Sequence, residues 1–243
     1  MNPLKIITSL SPSRIARQQY CITTFLPQER SSTEEFTKSE ERVIVCVQGP
    51  GEQEKLAAHF PGCEFVVGTT NTSFSKPTPK ITELIKQAGV VNTPVYAANE
   101  QAGEPALIIN SDISIESDIS VWDPVPGTLK MGIRTDFNRR GGKRLQKWGI
   151  DAFLILPEMI ELLSDIDFAV GCPGWDFWIP YVLCTKHGYQ IEVVQAELLH
   201  EIHEQAWSKD DYEVYKHIMM NNYRVHDTSL GHFILDITGR VLL

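Results

Sequence analysis

Apolar residues fall along this chain in two recurring forms. Unbroken runs, LKIITSL from residue 4, VIVCV from 43 and ALIIN from 106, have the length of strands covered on both faces. Between them the spacing turns helical: Ile15, Ile22 and Leu26 lead up to Pro27, and Ile81, Leu84, Ile85 and Ala88 lead up to Gly89. Ser11 followed by Pro12 reads as the cap of the first helix, and Thr78 followed by Pro79 as the cap of the other. The polar stretch 28–42 predicts a loop, GPGEQEKLAAHFPG a short helix between Gly/Pro boundaries, and CEFVVG another strand. In the second half, GTLKMGIRTDF, GIDAFLILP, YQIEVV and HFILDI predict strands. PEMIELLSD, a span from Asp176 or Phe177 to Gly188 with Pro180 in its first turn, and KDDYEVYKHIMMNNY predict helices. Strands and helices alternate early and mix later, without an internal repeat or flexible linker. That order predicts one α/β domain with a largely parallel sheet and antiparallel additions.

Composition narrows the class. A chain of 243 residues, 42% apolar and 22% charged, can bury a substantial core and is not disordered throughout. No stretch approaches the roughly 18–20 consecutive apolar residues of a membrane span, and the opening residues lack an apolar core followed by a small-residue cleavage site. The expectation is a soluble, cytoplasmic protein with no transmembrane segment. A formal charge of −9 argues against a nucleic-acid partner, which needs clustered Lys and Arg. The basic cluster RRGGKRLQK, residues 139–147, reads either as a solvated loop or as a lid over an anionic ligand. Five scattered cysteines without a Cys-x-x-Cys pair point to buried free thiols rather than a disulfide framework or zinc knuckle.

The chemistry-bearing candidates sit where strands end. In open α/β sheets ligands bind outside the carboxyl ends of strands, near the point where strand order reverses. TSLSPSR offers backbone N–H groups, the Thr8, Ser9 and Ser11 hydroxyls and the Arg14 guanidinium, donors suited to a nucleotide and its phosphates. It lacks the glycines of a P-loop or dinucleotide fingerprint and is otherwise an ordinary capped turn. Asp112 ends the apolar run ALIIN and reads either as an Asx turn or as a ligand to a divalent cation, with Asn110 and Ser111 within reach of ribose or water. In LLHEIHEQ, His200 and His203 lie one turn apart if the segment is helical, a spacing that excludes the zinc-protease pattern but leaves either histidine free to join Asp112. GCPGWDFWIPY places Trp175 and Asp176 at a helix start. They are a core ring and an N-cap, or a sugar platform beside a carboxylate that deprotonates a hydroxyl.

In their order, TSLSPSR, FPGCEFV, IINSDI, GIDAFLILP, AVGCPGWDFW and HEIHE resemble the GT-A type glycosyltransferases, and within them a branch of bacterial and viral sequences, across most of residues 4–205. The resemblance implies a Rossmann-like fold with a mixed, largely parallel central sheet flanked by helices. It also implies a single nucleotide-sugar transferase domain over 1–243, in which a helix and strand over 208–243 form an extension. By the same resemblance Asn110-Ser111-Asp112 corresponds to the Asp-x-Asp metal motif, departing from it at Asn110, and His203, or else His200, completes the shell of Mn²⁺ or Mg²⁺. Thr8, Ser9 and Arg14 would lie by the nucleotide, and Trp175 and Asp176 on the acceptor side, Asp176 being the general base if the reaction inverts. The implied activity moves a sugar from a nucleotide-diphosphate donor to a hydroxyl on a glycan, lipid-linked or protein acceptor. A nucleotidyltransferase and a non-catalytic scaffold of the same fold are the alternatives.

Overall fold

The computed structural model describes residues 4–10, 14–25, 42–74, 78–88, 104–138, 141–164, 167–204 and 207–241. The first half alternates strand and helix as its apolar pattern predicts: β1 (Lys5–Ser9), α1 (Ile15–Phe25), β2 (Arg42–Val47), α2 (Pro50–Ala57) and β3 (Glu64–Val67). A two-residue ribbon, β4 (Thr70–Asn71) with β5 (Thr78–Pro79), precedes α3 (Ile81–Ala88) and the fully buried β6 (Ala106–Ile109). Next come β7 (Ile113–Ile115), β8 (Thr128–Phe137), β9 (Lys143–Ile155), α4 (Trp175–His187), β10 (Gln190–Glu201), α5 (Lys209–Ile218) and α6 (Asp227–Val241).

Eight strands form one mixed sheet in the order β3-β2-β1-β6-β9-β8-β10-β7. β1 pairs in parallel with β2 on one side and β6 on the other, so strand order reverses at β1/β6. β9 runs antiparallel between β6 and β8, and β10 is again parallel to β8. The carboxyl ends of β1, β6, β8 and β10 therefore share one edge. Helices flank the sheet: α3 lies along β1, β2 and β6, while α4 and α6 pack on each other and on β9 and β10.

Chain length forces a curl. Only four Cα steps, about 14 Å of extended chain, separate Ile109 in β6 from Ile113 in β7, yet four strand spacings of about 4.8 Å each lie between those strands in the sheet order. A flat sheet could not be closed by so short a link. The sheet therefore bends back on itself, helped by irregular registers between Val194 and Leu198 of β10 and around Ile133 of β8.

Several expectations are corrected. HFILDI is helical within α6, because Leu230, Ile234 and Thr238 recur every four residues and bury one face. PEMIELLSD forms two short 3-10 turns, Pro157–Met159 and Glu161–Leu163. Thr78 and Pro79 extend as β5 instead of capping α3, and Lys80 bridges to Ala169. Pro180 falls in the second turn of α4, leaving the Asp176 carbonyl without its helical donor. LLHE is the end of β10, and Lys143 to Lys147 of the basic cluster are strand β9 of a hairpin. Ser11, Pro12, Leu26, Pro27, Gly89, Arg139, Arg140 and the loop 28–41 lie outside the described residues.

Gly174 is the backbone hinge that aims α4. It caps the helix with φ +111°, and an added Cβ would stand 2.5 Å from the Tyr215 ring. Gly174→Ala combines left-handed strain with overpacking, each worth about 1–3 kcal/mol. It should lower the thermal unfolding midpoint followed by circular dichroism by about 5–10 °C.

Candidate metal and active site

The site grows from the shared strand edge. Leaving β6, the chain makes a turn closed by Ile113 N–H donating to the Asn110 carbonyl at 3.2 Å, with Ser111 and Asp112 at its corners. β7 then pairs antiparallel with β10 so that Ile113 faces His200. That register sets the Asp112 carboxylate beside the end of β10. Arg17 holds the turn by donating to the Asp112 carbonyl at 3.2 Å, and Gln18 donates to Ser111 Oγ at 2.7 Å.

Three donor atoms converge there. Asp112 Oδ2 lies 3.0 Å from His203 Nε2 and 3.7 Å from His200 Nε2, and the two Nε2 atoms are 3.1 Å apart. Cis ligands around an ion with bonds of about 2.1 Å are separated by about 3.0–3.4 Å; two of the three separations fall in that range and the third, 3.7 Å, lies just above it, close to what a divalent cation needs. The ring tautomers fit as well. His200 Nδ1 meets Asp136 Oδ1 at 2.8 Å, and His203 Nδ1 meets the Glu204 carbonyl at 2.7 Å. Each acceptor takes an Nδ1 proton, so Nε2 is the atom turned toward Asp112, where it donates to the carboxylate when protonated and offers a lone pair to an ion when not. Arg14 Nη1, 2.9 Å from His203 Nε2 and 3.6 Å from Asp112 Oδ2, brings positive charge to the same lone pairs.

A buried charge network backs this cluster. Arg134 bridges Asp136 Oδ1 at 2.8 Å and Asp151 Oδ2 at 2.9 Å, Gln146 donates to Asp136 Oδ2, and Asn110 Nδ2 donates to Asp151 Oδ1. Gly149 makes room for it: an added Cβ would stand 2.7 Å from the Arg134 side chain. Burial pushes the Asp112 carboxyl up, but hydrogen bonds and charge from His200 and His203 outweigh it and hold the group well below the usual carboxylate range. Burial likewise opposes ionisation of Asp136, where Gln146, Arg134 and His200 prevail and lower it. For Asp151 burial wins, and its value is raised despite Arg134.

These groups line a cleft of about 460 Å³, which also includes Ser9, Gln48, Thr78, Cys172, Asp176, Trp207 and Asp211. Its volume is that of a small-molecule site. Asp176, in the first turn of α4, keeps partial access through the cleft although protein surrounds its carboxyl. Burial, then the charge of Asp151, raises it to about 7. A wider concavity of about 730 Å³ between α3 and α4 holds lysines that already pair, Lys80 with Asp167 and Lys86 with Glu83, and is remote from the triad.

Of the residues expected from sequence, Ser9, Arg14, Asn110, Ser111, Asp112, Asp176 and His203 meet in this cleft, joined by His200. Thr8 and Trp175 do not reach it. Thr8 is fully buried in β1, its hydroxyl without a partner among the described residues, and Trp175 packs edge-on against Phe153 in the core. The ring that does line the cleft is Trp207, stacked on Tyr212. Arg134, Asp136 and Asp151 were not anticipated. The rule that pointed to Asp112 also covers Asp136, a carboxylate ending the strand GTLKMGIRTDF, and Asp151 is an acid inside the apolar run GIDAFLIL.

No family model matches the chain, and no curated protein matches it in sequence. Among solved structures, it is similar to the inositol-1-phosphate CTP transferase of T. maritima, with 14% identity, 90% of this chain and 98% of that chain covered, and a TM-score of 0.43. A Mycobacterium tuberculosis protein crystallised with manganese, Rv0371c, is similar at 9% identity, with 88% and 97% covered and a TM-score of 0.42. Mouse xyloside xylosyltransferase 1 is similar at 9% identity, with 80% and 85% covered and a TM-score of 0.38. Among the described residues, no helix is long and apolar enough to cross a membrane.

The raised Asp176 predicts a pH-dependent stability. Below the ordinary value of 3.8 the carboxyl is neutral in both folded and unfolded chains and costs nothing; between 3.8 and about 7 the unfolded chain ionises first, so stability falls as pH rises, and above 7 the full cost is present. Asp176→Asn should accordingly raise the melting temperature at pH 8 and leave it nearly unchanged at pH 4. Equal shifts at both pH values would show that the carboxyl is not held neutral.

Proposed function

We propose that this chain is a glycosyltransferase that moves a sugar from a nucleotide-diphosphate donor to a hydroxyl acceptor, with a divalent cation, Mn²⁺ or Mg²⁺, held by Asp112, His200 and His203. The convergence of one carboxylate oxygen and two imidazole nitrogens at the edge where strand order reverses carries this reading, because each of the three atoms can ligate one ion. When bound, such an ion neutralises negative charge that develops on a leaving diphosphate.

The rest follows from the chain's own groups, arranged along the cleft. Ser9 and Gln48, at the ends of β1 and β2, face the place for the nucleoside. The Arg14 guanidinium is positioned to meet the phosphates beside the triad. Asp176 lies in the same cleft with a value of about 7, suited to taking a proton from an acceptor hydroxyl near neutral pH. In that role displacement is direct and inverts the anomeric centre. A sugar phosphate attacking a nucleoside triphosphate is already an anion and needs no such base, so Asp176 favours sugar transfer over nucleotidyl transfer. Trp207 offers the acceptor a flat apolar face, the part that sequence had given to Trp175. Lys143 and Arg144 do not line the cleft, although Arg134, Asp136 and Asp151 of the same hairpin do, and Lys143 pairs with Glu197 instead of facing a phosphate.

The test is calorimetry and product analysis with uridine, guanosine, cytidine and thymidine diphosphate sugars, with and without Mn²⁺. Metal-dependent binding of one donor and its slow hydrolysis to the nucleoside diphosphate are expected. Asp112→Asn should cut that hydrolysis by about 10²–10³-fold while circular dichroism shows the fold retained. Pyrophosphate release from a nucleoside triphosphate and a sugar phosphate, with no donor hydrolysis, would replace this reading by nucleotidyl transfer. Failure to bind any nucleotide would leave a scaffold.

A further inference from the structure

We propose that His200 sets the metal preference of this site: its imidazole gives a two-nitrogen, one-oxygen donor set that selects cobalt and zinc over magnesium, with manganese between them. The inference rests on the cation site proposed above and goes beyond it by naming which ions that site prefers and which residue decides.

Hard ions such as Mg²⁺ gain affinity from carboxylate oxygens and resist giving up water, whereas imidazole nitrogens favour the later first-row transition ions. Among the described residues, Asp112 is the one acidic side chain grouped with His200 and His203, and its neighbours Asp136, Asp151 and Glu201 are engaged elsewhere. Both oxygens of Asp136 are engaged, Oδ1 by Arg134 and His200 and Oδ2 by Gln146. Both oxygens of Asp151 are engaged as well, Oδ2 by Arg134 and Oδ1 by Asn110. Glu201 is paired with Arg17 at 3.0 Å.

Asn110 completes the case. Its backbone N–H donates to the Asp151 carbonyl at 3.1 Å and its side-chain amide to the Asp151 carboxylate, so it is tied to β9 and turned from the cation position. The β6 turn supplies no second carboxylate, and the ligand comes instead from the end of β10. His200 is buried, and its ring is fixed by the 2.8 Å bond from Nδ1 to Asp136. A nitrogen ligand with its proton already committed elsewhere is a strong donor toward transition ions. Charge points the same way: one anionic ligand gives a hard ion little to hold.

The experiment titrates metal-free protein, without nucleotide, with Mg²⁺, Mn²⁺, Co²⁺ and Zn²⁺ by isothermal calorimetry, and records the visible absorption of the Co²⁺ form. Expected are affinities rising in that order, with Co²⁺ and Zn²⁺ at least about tenfold tighter than Mg²⁺, and cobalt bands that report nitrogen ligation. His200→Asp, which restores a second carboxylate, should shrink the ratio of Co²⁺ to Mg²⁺ affinity by about tenfold or more and weaken those bands. Magnesium binding as tightly as cobalt, or a ratio unchanged in His200→Asp, overturns the preference while leaving the cation site and the transferase reading intact. Binding of none of the four ions overturns both. The expected order together with no donor turnover upholds the preference and counts against the transferase.

Discussion

β1, β6, β8 and β10 run the same way through one sheet, so their chains all emerge at one edge, and the site is built from what emerges there. Parallel pairing makes this a constraint and not a coincidence, because each strand must be followed by a chain that leaves at its carboxyl end. Ser9 ends β1, the Asn110–Asp112 turn follows β6, and Asp136 and His200 each stand one residue before the end of their strands. Antiparallel β9 brings Asp151 to the same edge from mid-strand, opposite β6. The three-residue link from β6 to β7 then curls the sheet and sets Ile113 against His200. Asp112 is thus both a turn residue and a candidate ligand: the turn is what aims it.

Charge organises the edge after topology has assembled it. Acidic and basic groups alternate from Arg14 through Asp112, His200 and Asp136 to Arg134 and Asp151. Each buried charge has a partner, as a water-poor site requires, since an unpaired buried charge costs several kcal/mol. The alternation also divides the carboxyls by role. Asp112 and Asp136 are held ionised by donors, while Asp151 and Asp176, where burial dominates, are raised. Groups of one chemical type thereby differ in charge within one cleft, Asp112 being ionised and Asp176 titrating near neutrality.

Much of the first half of the fold was legible because its signals are local. VIVCV and ALIIN are strands wherever they pack, and Ile81, Leu84 and Ile85 mark one helical face without reference to anything distant. The helical reading of HFILDI was available in the same way, since Leu230, Phe233, Ile234 and Ile237 follow helical spacing, but six apolar-rich residues taken alone resemble a strand. In the site, strand ends singled out Asp112, and the nearness of His203 to it followed. Thr8 and Trp175 were misplaced for one reason: a residue next to a strand end or helix start can face the core as readily as the cleft, and burial is set by what packs against it.

By itself the sequence determined a mixed α/β fold with a polar turn at the end of a buried strand, because hydrophobic periodicity and turn chemistry act within a few residues. Only the tertiary structure decided that LLHE is a strand, that both histidines face Asp112, that Asn110 turns to Asp151, and that Arg134 joins two acids. Those outcomes depend on contacts between positions about 90 residues apart, His200 against Ile113 at 87 and Asp112 beside His203 at 91. A register of that kind is fixed by the packing of the whole sheet, and no short stretch of the chain contains it.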